Sequence, residues 1–194
     1  MSGTGPSGTE GYSNEAEALV RQYESITFSE VHRRILHLLP KDPARVLDIG
    51  AGTGRDAAGF AALGHIVTAV EPTAALRMHA IALHPSPRIA WVDDSLPDLA
   101  VVSGSCEPFD VVMLTAVWMH LDERQRHRAM PRVAALVRPG GLMTLSLRHG
   151  PVPPGRRMFD VTTAETIALA EAEGMTSVQR WEDRDGLLKR HGVT

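Results

Sequence analysis

Apolar residues along the chain fall into two patterns with different periods. The opening residues 1–13 are rich in Gly and Ser and show no periodicity, and read as a flexible lead-in. From Asn14 the spacing becomes helical. Ala18, Leu19, Gln22, Tyr23 and Ile26 follow a three-four rhythm, and Val31, Ile35, Leu38 and Leu39 repeat it before Pro40. Two helices are expected over residues 14–40, with Ser29 as the cap of the second.

After the turn at Lys41, Asp42 and Pro43, short apolar runs alternate with helical stretches. The strands expected are Arg45–Ile49, Ile66–Val70, Arg88–Val92, Phe109–Val117 and Leu142–Leu147, with a sixth at Ser177–Trp181. The fourth is the most apolar and is expected at the centre. Between them lie helices through Ala57, Phe60 and Leu63, through Leu76 and Ile81, from Asp122 to Val137, and from Thr162 to Gly174. Strands that alternate with helices imply right-handed crossovers, a mostly parallel sheet and helices on both faces, hence an α/β, three-layer, Rossmann-like fold. No internal repeat or linker divides the chain, so residues 14–194 are expected to form one domain, with 14–40 as a helical cover.

In such sheets ligands bind beyond the carboxyl ends of the strands. After the first strand stands Asp48-Ile49-Gly50-Ala51-Gly52-Thr53-Gly54-Arg55. Its glycines allow a tight turn and a close approach of the backbone, while the following helix start offers free N–H groups. Glu71, followed by Pro72, closes the second strand, where a carboxylate can take both hydroxyls of a ribose. Asp93 and Asp94 close the third, within reach of an adenine amino group. Together these acids suit an adenosine. Arg55 stands where the dinucleotide fingerprint needs its third glycine, and Asp48 would repel a pyrophosphate. S-adenosylmethionine (SAM) carries an ammonium and a sulfonium and no phosphate, so acids near the loop favour it over NAD(P).

These segments also resemble a known family. VLDIGAGTGRDA is similar to the first motif of class I SAM-dependent methyltransferases, and VEP to their acidic motif. FDVVMLTAVWMHL and LVRPGGLMTLSL are similar to their fourth- and fifth-strand motifs, and the resemblance runs from about Ala18 to Trp181. It implies that Gly50, Gly52 and Gly54 shape a SAM loop, that Glu71 holds the ribose, that Asp93 or Asp94 holds adenine, and that Thr115 lines the methionine end. It implies a sheet order 3-2-1-4-5-7-6. His191-Gly192-Val193-Thr194 looks like the start of a seventh strand at which the sequence stops, so that strand is expected to be missing or truncated. An unpaired edge invites association, and a homodimer is one expectation that follows.

Methyl transfer asks mainly that a nucleophile be positioned and, for some acceptors, deprotonated. His120, after the fourth strand, is the first candidate base, and His149, after the fifth, the second. Trp118 is expected beside the cofactor or in the pocket wall. Arg148 and Arg157 could form a cationic rim for an acidic acceptor, and Tyr23 and Phe28 could cover the pocket, as this segment does in the family.

The bulk numbers narrow the partners. Net charge is −3 with no long basic run, which gives no case for nucleic acid, and no apolar run approaches the ~20 residues of a membrane span. One cysteine, Cys106, excludes an intramolecular disulfide, and the scattered histidines show no metal spacing. A cytoplasmic enzyme is expected, transferring methyl from SAM to O or N of a small molecule, without metal, and releasing S-adenosylhomocysteine. The alternatives are an NAD(P)-dependent oxidoreductase and a catalytically silent SAM-binding protein.

Overall fold

The computed structural model describes residues 6, 8–105, 107–182 and 193. Strands β1 (Arg45–Ile49), β2 (Ile66–Val70), β3 (Ile89–Val92), β4 (Phe109–Thr115) and β5 (Val137–Ser146) form one sheet in the order β3-β2-β1-β4-β5. Every pairing is parallel. The apolar runs are continuous because both faces are covered, and side chains alternate between them. Leu47, Ile49, Val112 and Leu114 pack with Val102 of α5 (Ala100–Ser105) and Ala129, Met130 and Val133 of α6 (Glu123–Leu136). Their neighbours Val46, Val111 and Met113 point the other way, with Val67 and Ala69, onto Ala57, Phe60 and Ala61 of α3 (Arg55–Ala62). The three-layer α/β architecture expected from the sequence is present.

The N-terminal cover is less regular than its spacing predicts. Helix α1 (Ala16–Tyr23) lays Ala16 and Leu19 on Leu76 of α4 (Ala74–Leu83). Helix α2 spans only Phe28–His32, and its cap is Thr27 rather than Ser29. Thr27 Oγ1 accepts from Glu30 N at 3.2 Å, and Glu30 Oε2 accepts from Thr27 N at 2.7 Å. That reciprocal box satisfies two helix-end donors at once and outcompetes a cap two residues later. Ile35 and Leu39 are still buried, on a separate 3-10 turn at Leu36–Leu38.

Three further departures stand out. Strand β5 begins at Val137, and Arg138, Pro139, Gly140 and Gly141 loop out opposite Asp110 before pairing resumes at Val111 and Leu142. Helix α5 was not expected, because AVVSGS is short and poor in helix formers; Asp94 holds its start, as described below. The sixth strand expected at Ser177–Trp181 is absent: those residues are irregular, with Val178 and Trp181 exposed. Among the described residues no strand pairs with β5 on its outer side, so the segment has no ladder to join. Of the expected seventh strand, 191, 192 and 194 lie outside the described residues, and Val193 is buried. Helix α7 (Thr163–Ala172) instead docks on α6, where Glu165 Oε1 accepts from Arg126 Nε at 2.7 Å. No helix among the described residues is long and apolar enough to cross a membrane.

Candidate functional site

The carboxyl ends of β1, β2 and β4 open onto a cavity of about 340 Å³. The glycine loop forms its floor. Gly50 N and Ala51 N both donate to Val70 O, at 2.8 and 2.9 Å, which folds the loop back over β2. Gly50 has φ +72°, and a methyl group there would stand 2.5 Å from Val117 Cγ2. Gly52 has φ +58° and lacks any close neighbour on that side, so a side chain would project over open space. Both positions require glycine, the first for room and both for conformation.

Glu71 is almost fully buried at the end of β2. Its Oε2 accepts from Gly52 N at 2.9 Å and its Oε1 from Thr73 N at 2.7 Å, so it fixes loop and strand end together. Burial raises its pKa against the pull of those two N–H donors. Asp48, 1% exposed, has an Oδ2 with no hydrogen-bond partner among the described residues. Burial first, then the nearby charges of Asp56 and Glu71, push its carboxyl well above the ordinary range. An unpaired buried carboxyl at a cavity wall is costly, and a bound cation would relieve it.

Asp56, which the sequence did not single out, is the hub of a buried network. Its Oδ2 meets His32 Nε2 at 2.8 Å and accepts from Thr115 Oγ1 at 2.9 Å, and its Oδ1 accepts from Arg55 Nε at 2.8 Å. Burial opposes its charge, but the hydrogen bond and charge of His32, then Arg55, outweigh that and hold the carboxyl below its ordinary range. With Thr53 Oγ1 donating to Glu24 Oε1 at 2.6 Å, this ties the helical cover to the glycine loop. Its sequence signal was an acid in the first turn of a helix, normal at that position and therefore uninformative.

Of the expected cofactor residues, Asp48, Gly50, Ala51, Gly52, Arg55, Glu71, Pro72, Asp94 and Thr115 line the cavity. Gly54 does not; with φ +90° it caps α3 and packs beneath, where a methyl would meet Trp91 and His84 at 3.0 Å. Asp93 also lies off the cavity and accepts from Arg77 Nη2 at 2.7 Å. Asp94 borders it while its Oδ2 accepts from Val101 N and Val102 N at 2.9 and 3.0 Å, and this anchors α5. Trp118 is wholly buried in the core with Met119 and Leu121, so it is no pocket wall. It sits on a 3-10 turn, Trp118–His120, just past β4.

Of the residues expected on the acceptor side, Tyr23, His120 and Arg148 line the cavity. Phe28 does not, and packs on Phe60 and His32 with ring centroids 4.9 Å apart in both cases. Arg157 is drawn away by Asp122 Oδ2 at 2.9 Å and Gln125 Oε1 at 3.1 Å. His149, the second candidate base, lies outside the cavity lining, with Nδ1 3.8 Å from Asp160 Oδ1. Other residues missed in the sequence also border the cavity. Gly8, Thr9 and Tyr12, from the stretch expected to be a flexible lead, fold against it, and Tyr12 Oη lies 3.0 Å from His120 Nε2. No apolar rhythm marked that stretch, so nothing in the pattern signalled a fixed position. Ala116, just past β4, takes φ +54°, a left-handed conformation rare for a side-chain-bearing residue and concentrated at functional sites. Its N–H donates to Ser146 Oγ at 2.9 Å. Among the described residues no group of three or more His, Cys, Asp or Glu could hold a metal ion.

Known proteins resemble this chain in sequence and in fold. A ubiquinone biosynthesis O-methyltransferase of Methylocella silvestris is 35% identical over 105 residues, 54% of this chain and 40% of that protein. An uncharacterized methyltransferase of Mycobacterium tuberculosis is 33% identical over 115 residues, 56% of this chain and 41% of that protein. The chain thus spans about two fifths of the length of these curated relatives. Among solved structures, Burkholderia thailandensis 1,6-didemethyltoxoflavin-N1-methyltransferase, with bound 1,6-didemethyltoxoflavin and S-adenosylhomocysteine, superposes with a TM-score of 0.58 at 25% identity, over 84% of this chain and 80% of that one. A TehB-like SAM-dependent methyltransferase of Corynebacterium glutamicum shares the fold with a TM-score of 0.62 at 22% identity, over 82% and 83% of the two chains. The profile of the methyltransferase domain matches residues 22–184, and the chain belongs to that family.

Proposed function

We propose that the chain transfers the methyl group of SAM to an oxygen or nitrogen of a small-molecule acceptor and releases S-adenosylhomocysteine. The observation that carries this reading is the unpartnered, buried Oδ2 of Asp48 in a cavity whose floor is a glycine loop and whose second wall is Glu71. Burial disfavours the charged forms of Asp48 and Glu71, and a ligand with an ammonium and a sulfonium would offset that cost, whereas a pyrophosphate beside them would add to it. The residues present therefore fit SAM. Gly50, Gly52 and Thr115 would enclose its methionine end, Glu71 its ribose and Asp94, rather than Asp93, its adenine. Bound there, SAM supplies a methyl group already activated on a sulfonium.

The chain's own task is to bind, to orient and to exclude water. His120 and Arg148 line the cavity and would stand beside the acceptor. The Burkholderia enzyme acts, by its name, on a ring nitrogen, and the Methylocella relative on an oxygen, so the relatives support a small acceptor and leave the atom open. The outer side of β5, unpaired among the described residues, keeps association of two copies as an expectation, which light scattering tests. Turnover itself is tested by incubating the protein with SAM and a library of hydroxylated and amine-bearing small molecules, and measuring S-adenosylhomocysteine. Acceptor-dependent product supports the reading. SAM binding without any product across the library would favour the silent SAM-binding protein instead.

A further inference from the structure

His120 is held at both ring nitrogens, and its partners fix its tautomer. Nδ1 lies 2.7 Å from the carbonyl oxygen of Arg157, which can only accept, so Nδ1 carries the hydrogen. Nε2 is then a bare lone pair, and the hydroxyl of Tyr12, 3.0 Å away, donates to it. Tyr12 is itself fixed: the Arg156 guanidinium lies 3.8 Å over its ring, and Arg156 in turn donates to Glu10 O at 3.1 Å and Glu15 Oε2 at 2.7 Å. Both Tyr12 and His120 border the cavity, whose lining also includes Ala116, just past β4, and Ser146, at the end of β5. A phenol hydrogen-bonded to a neutral imidazole, both at the border of a cavity beside the end of β4, is more than a pin for the N-terminal segment.

We infer that Tyr12 and His120 form a proton-accepting pair for the acceptor, and that they select acceptors bearing an acidic hydroxyl, of phenol or enol type. This rests on the methyl-transfer reading above. In the step, the acceptor's O–H proton passes to Tyr12 Oη as the proton of Tyr12 passes to His120 Nε2. The acceptor oxygen forms its bond to the methyl carbon, the bond from that carbon to sulfur breaks, and its electron pair stays on sulfur as the neutral thioether. His120 is left as imidazolium, with Nδ1–H still on Arg157 O, and loses the proton to solvent. A free amine has a lone pair ready and needs no base before attack, whereas a hydroxyl gains nucleophilicity as its proton leaves. An imidazole is matched to a phenol, with a pKa near ~10 or lower, far better than to an aliphatic alcohol.

The surroundings act on the pair from several sides. Tyr23, Glu71, Arg148 and Arg156 face Tyr12; Glu10, Arg148 and Arg156 face His120. Burial, and more weakly the two arginines, favour the neutral imidazole that must be present at the start, while the Arg157 carbonyl and Glu10 favour the cation. The same arginines favour an acceptor oxyanion.

The test uses 4-nitrophenol, whose phenolate absorbs where the phenol does not, added to the full chain saturated with S-adenosylhomocysteine. At a pH one unit below its solution pKa, the bound probe is expected to be mainly phenolate in the wild type. Tyr12→Phe removes the relay, and His120→Asn keeps a donor for Arg157 O but loses Nε2. Each is expected to lower the bound phenolate-to-phenol ratio at least about tenfold, one pKa unit, while S-adenosylhomocysteine affinity measured on the same samples stays within about threefold. An unchanged ratio in Tyr12→Phe overturns the proposal, and so does failure of the wild-type complex to bind the probe. Nitrogen-15 spectra are expected to show the Nδ1–H tautomer of His120; an Nε2–H tautomer also overturns it. Failure of the wild type to bind S-adenosylhomocysteine would instead strike the methyl-transfer reading.

Discussion

Replacing Glu71 with glutamine exchanges one carboxylate oxygen for an NH2 group and separates two roles of one side chain. In the wild type each carboxylate oxygen accepts one backbone N–H, Gly52 N at 2.9 Å and Thr73 N at 2.7 Å. Glutamine has one oxygen, so its amide nitrogen must face one of those N–H groups, donor against donor. Leaving a buried donor unmet costs about 1–3 kcal/mol. With a urea slope of about 2 kcal/mol per molar, the unfolding midpoint should fall by about 0.5–1.5 M. If Glu71 also accepts from a ribose, the variant loses a charge-assisted bond of about 1.5–3 kcal/mol, roughly a 10- to 100-fold loss of S-adenosylhomocysteine affinity. Urea titration followed by tryptophan fluorescence reads the first effect, and calorimetry on the folded variant reads the second. An unmoved midpoint would refute the structural role, and an affinity within twofold of wild type would refute the binding role.

Other residues make equally direct claims. The carboxyl of Asp48 is raised by burial, so the folded state holds its proton more tightly than the unfolded state does, and stability falls as pH rises from the ordinary carboxylate range into the raised one. Asp48→Asn should flatten that fall in a series of urea midpoints against pH, and should weaken SAM binding; an unchanged slope would count against the assignment. Asp56 is held low, so its contribution is present above the ordinary carboxylate range and is lost as pH falls. His32→Ala, which removes a 2.8 Å partner, should cost about 1.5–3 kcal/mol near neutral pH and less in acid, read the same way. In Gly59→Ala the new methyl would stand 2.3 Å from Phe28 Cγ and 2.6 Å from its Cβ. Those atoms lie near the root of the side chain and yield poorly. The clash, about 1–3 kcal/mol, should outweigh a helix-propensity gain of about 1 kcal/mol, so a higher melting temperature would contradict the packing.

What the sequence disclosed depends on how local the cause is. The strands of the sheet core were legible because parallel strands buried on both faces must be apolar throughout, as in Val111 to Leu114. The glycine loop and Glu71 were legible because backbone conformation and the strand end restrict the residue type. Tyr12 was not, since its place is set by Arg156 and His120, each more than 100 residues away. Trp118 and His120 lie two residues apart after the same strand, yet a single 3-10 turn buries the first in the core and presents the second to the cavity. The places of Asp93 and Asp94 were set by Arg77, which draws the first off the cavity, and by α5, whose start the second anchors at the cavity edge. His149 looked equivalent to His120 by its place after a strand, but only His120 is turned to the cavity.

Calorimetric titration with SAM, S-adenosylhomocysteine, NADH and NADPH tests SAM as the cofactor most directly. Binding of the first two alone, weakened in Glu71→Gln, is the predicted result. Binding of either nicotinamide cofactor, with no heat from SAM or S-adenosylhomocysteine, would contradict it.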